Sequence, residues 1–147
     1  MNFDVEIINN RNYITHKPVY INGIKATPKY TNGTRPIYVW ESYILKLNDI
    51  WFKNQNRVEV KKWPKIDISD REFFQPIIAY DEKYRWIIQE KIDFRQGRKS
   101  GAIAIQAHRL FLKYNISDTI DNDGSLICNE NFGVRTDGRL VIFDWGL

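Results

Sequence analysis

The chain has little sulfur and little imidazole: one cysteine, Cys128, and two histidines, His16 and His108. A single thiol excludes an intrachain disulfide, and these three residues cannot furnish a multi-cysteine zinc site. No apolar run approaches the roughly 20 residues that span a bilayer. The opening MNFDVEIINN also lacks the basic-then-apolar order of a secretory leader. The expected compartment is the cytoplasm, with no membrane partner. Eight glycines and five prolines in 147 residues are too few for a collagenous or low-complexity chain.

What is present describes a folded domain. Apolar residues make up 43% and aromatics 14%, too rich a mixture for disorder. A chain of this length buries about two-thirds of its unfolded surface on folding. The net charge is +4, and it is unevenly spread. Lys53, Arg57, Lys61, Lys62 and Lys65 crowd one stretch with Glu59 as its only acid. Asp118, Asp121, Asp123, Glu130, Asp137 and Asp144 gather near the end. A basic face around Arg57, Lys61 and Lys62 suits phosphate, whether of a nucleic acid or of a nucleotide. An ordinary solvated surface has the same composition.

Periodicity orders the chain. Phe3, Val5 and Ile7 alternate with polar neighbours, as a half-buried strand requires. PVYINGI (18–24) continues the β pattern into a turn at Asn22-Gly23. Thr31-Asn32-Gly33-Thr34 supplies the positive φ angles of a tight hairpin between ATPKY and PIYVWESYILKL. Asn48 to Trp63 reads as a short helix that Pro64 terminates. Phe73–Tyr80 and Tyr84–Ile92 read as two strands joined by Asp81-Glu82-Lys83. The polar, glycine-bearing stretch Phe94–Gly101 reads as a hinge. After it, Ile103, Ala107, Leu110, Phe111 and Tyr114 mark a helix over 100–114 that Asn115 ends. Two short strands, Phe132–Arg135 and Arg139–Phe143, turn at Thr136-Asp137-Gly138.

The expected class is α+β. A β-rich part, residues 1–93, consists of an antiparallel sheet with a short helix. A smaller part, residues 94–147, consists of the helix 100–114, a loop 115–131 and a hairpin 132–144.

The chemistry concentrates at the end. Asn131 precedes the hairpin, and Asp144-Trp145-Gly146 follows its apolar second strand. An amide and a carboxylate are hard oxygen ligands for a divalent cation such as magnesium, with nucleotide phosphate oxygens completing the shell. A plain hairpin with a surface aspartate at its exit has the same outline. Cys128 has no base near it in sequence and reads as a buried thiol. His108 borders the apolar stripe of its helix. The five tryptophans suit core packing, although Trp51 and Trp63 flank the basic cluster.

These residues, in this order, resemble the protein-kinase-like fold over most of the chain. Asn131-Phe-Gly-Val and Asp144-Trp-Gly, thirteen residues apart, resemble the catalytic-loop asparagine and the Asp-Phe-Gly metal motif. Tyr43-Ile-Leu-Lys46 resembles the strand whose lysine touches nucleotide phosphates. The resemblance makes Glu59 the ion-pair partner of Lys46. It makes Trp86–Ile92, with Glu90, the strand leading to an adenine-holding hinge. ATP and magnesium are the ligands it implies, with Asn131 and Asp144 converging on Lys46 across a cleft. The C-terminal part would be a reduced second lobe.

The departures shape the function it implies. The family's catalytic aspartate stands five residues before the asparagine, where this chain has Leu126. Asp118, just after the helix, is the candidate substitute. The family's glycine-rich loop has no counterpart. The resemblance thus implies a catalytically inactive kinase-like protein that binds and modulates a host or viral protein, similar to small products of bacterial viruses. An active ATP-dependent phosphotransferase using Asp118 is the first alternative, and a basic nucleic-acid-binding module the second. A homo-oligomer is compatible with either.

Overall fold

The computed structural model describes residues 2–9, 16–30, 35–48, 54–95, 101–116 and 131–145. The chain divides into two compact units, Met1–Asn56 with Ile77–Lys91, and Arg57–Pro76 with Ile92–Leu147. It is α+β, with largely antiparallel sheets and two α-helices among the described residues.

In the first unit, β1 (Val5–Ile7), β2 (Val19–Ile21) and β3 (Ile24–Lys25) form a three-stranded sheet in that order. Asn22 (φ 50°) and Gly23 (φ 79°) both take the left-handed conformation, as the Asn-Gly signal demands. The Asn22 side chain also accepts the Asp4 N–H at 2.8 Å, tying the turn to β1. A second sheet holds β4 (Thr27–Lys29), β5 (Ile37–Trp40), β6 (Tyr43–Leu47), β7 (Ile77–Tyr80) and β8 (Trp86–Glu90) in the order β4-β5-β6-β8-β7. The single N-terminal sheet expected from the sequence is therefore two. Val19 and Ile21 from the small sheet pack with Tyr38, Trp40, Leu45, Leu47 and Ile88 from the large one, which gives each sheet an apolar face to bury. The Thr31–Thr34 turn lies outside the described residues. Its flanking strands pair antiparallel, Thr27 opposite Val39 and Lys29 opposite Ile37.

Helix α1 (Gln55–Lys62) ends one residue before the expected stop. Trp63-Pro64-Lys65 then tightens into a 3-10 turn, because Pro64 has no N–H to continue the ladder.

The second unit carries β9 (Phe94–Arg95), α2 (Gly101–Lys113), β10 (Phe132–Arg135) and β11 (Leu140–Ile142), with sheet order β11-β10-β9. Ala107, Leu110 and Phe111 form the buried stripe of α2, and Phe111 meets Phe132 with ring centroids 5.8 Å apart. Asn115 ends the helix in the left-handed region (φ 54°), and the Ile116 N–H donates back to the Phe111 carbonyl at 2.9 Å. Gly138 (φ 86°) turns the hairpin where its sequence signal stood.

Two expectations need correction. Phe94–Gly101 is not polar linker throughout, because Phe94–Arg95 is a strand paired with β10. Phe94 stacks on Phe143 at 4.5 Å, and that aromatic contact outweighs the polarity of its neighbours. Phe73–Tyr80 is not one strand either. Arg71–Phe73 turns as a 3-10 helix, and Phe74 and Gln75 pair with Ile142 of β11 before β7 begins at Ile77.

Candidate functional site

In the first unit, Lys46 lies on β6, the third strand of the five-stranded sheet in chain order and its central one in space. It sits opposite Ile37 on one side and Ile87 on the other and is only 2% exposed. Both faces of this strand are covered: Ile44, Leu45, Lys46 and Leu47 are all buried, and the alternating pattern disappears. A lysine there calls for electrostatic or hydrogen-bonding support.

The main chain around Lys46 is held by a residue that the sequence reading missed. Asn56, on the first turn of α1, is fully buried. Its Nδ2 donates to the carbonyls of Lys46 and Tyr84, each at 3.1 Å. Its Oδ1 accepts from Arg35 Nη1 at 3.0 Å, and its backbone N–H donates to Asn48 Oδ1 at 3.4 Å. Tyr84 takes φ 59°, inside the turn between β7 and β8. The Asp81 carboxylate accepts the N–H groups of Lys83 and Arg85 and a forked pair of bonds from the Arg85 guanidinium. Those bonds, from the Arg85 side chain first, hold Asp81 below the usual carboxylate range. Glu90, the last residue of β8, is exposed and sits opposite Tyr43.

In the second unit, Glu59 on α1 is fully buried, and its Oε1 accepts the Trp145 N–H at 3.4 Å. The carboxylate is thus bonded to the residue immediately after Asp144. Asn131 immediately precedes β10, and Asp144 follows β11 by two residues. The Asn131 carbonyl accepts the N–H of Phe143 at 3.1 Å and that of Asp144 at 3.4 Å. The hairpin therefore opens with the amide residue on one leg and the carboxylate residue on the other. Asn131 is 8% exposed and Asp144 half-buried.

Two hard oxygen donors fit magnesium better than a softer metal. No group of three or more His, Cys, Asp or Glu gathers among the described residues, so phosphate or water oxygens would have to fill the remaining positions. Lys46 belongs to the first unit; Glu59, Asn131 and Asp144 belong to the second. Asp118, Leu126, Cys128 and Gly146 lie outside the described residues.

The basic cluster does not present one uniform face. Arg57 and Lys61 are exposed, whereas Lys62 is half-buried and its Nζ donates to the Asn115 carbonyl at 2.9 Å. That bond caps the C-terminal end of α2, where a cation is favoured. Burial pushes the Lys62 amine below its ordinary value, although Glu59 opposes the shift. Trp40 and Trp145 are core residues, and Trp63 meets both the Trp145 ring and the Arg71 guanidinium, which sits 5.3 Å from its ring centre. His108 is half-buried on α2, at the edge of the apolar stripe.

No protein-family model matches the chain, and no curated protein matches it in sequence. No helix among the described residues is long and apolar enough to cross a membrane.

Proposed function

We propose that the chain is a kinase-like protein that holds ATP with magnesium, transfers no phosphate, and acts by binding and modulating another protein, of a host or of a virus. The observation that carries the reading is the hairpin whose two legs bring Asn131 and Asp144 into main-chain contact. An amide and a carboxylate at one hairpin mouth form the ligand pair that a phosphate-bound magnesium ion uses. Bound there, the ion would screen phosphate charge; Asn131 and Asp144 would hold it.

The order of the remaining parts supports the same reading. A buried lysine lies on the third strand of an antiparallel sheet, and a helix with a buried glutamate follows it. A helix with an apolar stripe and the metal-type hairpin come next. The case against phosphate transfer is chemical. Leu126 occupies the position of the base and can neither accept a hydroxyl proton nor orient the hydroxyl.

The test is incubation with ATP and magnesium, followed by intact-mass measurement of the chain and of candidate acceptors. No mass gain of a phosphate is expected on any of them. Phosphate transfer that disappears in Asp118→Asn would replace this reading with that of an active phosphotransferase.

A further inference from the structure

Asn56 is an unusual choice for its position. It is fully buried on the first turn of α1, where an apolar side chain would pack without needing partners. A buried amide is tolerated only when its donors and acceptor are satisfied. Here both Nδ2 hydrogens and the Oδ1 are used, each on a different segment: the Lys46 carbonyl of β6, the Tyr84 carbonyl before β8, and the Arg35 guanidinium before β5. Arg35 is itself only 4% exposed. No other side chain of this shape offers two N–H donors and one carbonyl acceptor in one plane, apart from the longer glutamine.

We infer that Asn56 is the positioning residue of Lys46. Its bond to the Lys46 carbonyl fixes the peptide plane that follows Lys46, and with it the direction in which the side chain leaves the strand. The bonds to Tyr84 and Arg35 anchor Asn56 to two further segments, so Lys46 is held against the frame of the sheet and not merely by its own strand. The inference rests on the reading of Lys46 as a nucleotide ligand and adds the residue that aims it.

Asn56→Asp separates the contributions. The carboxylate keeps an acceptor for Arg35 but has no hydrogens for the carbonyls of Lys46 and Tyr84, which it would repel. The experiment is a double-mutant cycle on ATP–magnesium affinity, measured by calorimetry on the full chain with Asn56→Asp, Lys46→Ala and the pair. Asn56→Asp should raise Kd at least tenfold when Lys46 is present and change it less than twofold when Lys46 is already alanine. Equal losses in both backgrounds, or an unchanged Kd, would overturn the inference, because a general loosening of the unit does not depend on Lys46. If Asn56→Asp does not fold, Asn56→Ser, which keeps one donor and one acceptor in a smaller volume, takes its place. Failure of both to fold assigns Asn56 to stability alone and also overturns it. A separate result, Lys46→Ala binding ATP as the unaltered chain does, removes the nucleotide reading and the inference with it.

Discussion

At the scale of single residues, Gly133 has the least room to change among the described glycines. A Cβ built there would stand 2.6 Å from Phe94 Cδ2 and 2.8 Å from the Arg95 carbonyl. Both contacts are too short for real atoms, and the second is to backbone that cannot swing away. Gly133→Ala should therefore push β9 off β10 and cost about 1–3 kcal/mol, the range of overpacking in a filled core. Urea denaturation would read it as a lower midpoint. Asp70 offers a test of charge. Its carboxylate accepts a bond from Lys113 Nζ at 2.7 Å and one from the Tyr114 hydroxyl, and these, Lys113 first, hold it below the usual carboxylate range. A carboxylate whose folded value is depressed adds stability above its unfolded value, about 3.9, and loses it as pH falls through the folded value. The unaltered chain should thus exceed Asp70→Asn in stability at neutral pH, with the gap narrowing below about pH 4 in paired urea titrations. A gap that stays constant down to pH 2 would contradict the assignment.

At the scale of elements, helix ends and turns were legible where a left-handed position carries asparagine or glycine, and not at Glu41 (φ 52°) or Tyr84 (φ 59°), whose residue types give no such signal. Asn22-Gly23, Asn115 and Gly138 all adopt the positive φ that their residue types allow most easily. Asn115 permits a direct check. Asn115→Ala should cost about 1 kcal/mol, because alanine strains in this region, while Asn115→Gly should not destabilise the helix end. Thermal unfolding of the two variants in parallel decides it; equal melting temperatures would mean that the cap carries no strain. The short strands were less legible. β9 is two residues long inside a polar run, and its pairing with Val134 and Arg135 and the ring of Phe143 make it a strand. No local pattern announces a contact with residues some forty to fifty positions away. β6 was recognised as a strand but not as a central one, because burial on both faces erases the alternation. The site was legible in part for the same reason. Asn131 and Asp144 could be paired from the hairpin between them, a local feature. Asn56 carries no local signal: its partners Lys46, Tyr84 and Arg35 lie 10, 28 and 21 positions away.

At the scale of the whole molecule, the proposed function predicts that nucleotide binding is linked to folding, and Lys46 in one unit and Asp144 in the other test it separately. A ligand that binds only the folded chain stabilises it by about 2.7 kcal/mol at one hundred times its dissociation constant. For a chain of this size that amounts to a rise in melting temperature on the order of 8 °C. ATP with magnesium should produce such a rise in the unaltered chain. Asp144→Ala should lose the part of the rise that depends on magnesium, since the proposed reading makes the carboxylate a ligand of the ion and not of the base. Lys46→Ala should lose the part that ATP produces without magnesium, since the proposed reading has its ammonium group meet phosphate directly. Arg57→Ala and Lys61→Ala, at exposed positions of α1, should leave both parts intact. The opposite pattern would favour the nucleic-acid reading: no response to ATP, but a rise with an oligonucleotide that shrinks steeply with added salt and depends on Arg57 and Lys61. Counterion release gives that salt dependence whenever phosphates are neutralised in series. A net charge of +4 is modest for such a series, and Lys62 is bonded to the end of α2. On the proposed reading a response to ATP and magnesium is the expected one, and its dependence on Lys46 or Asp144 but not on Arg57 or Lys61 separates nucleotide binding from a merely basic surface.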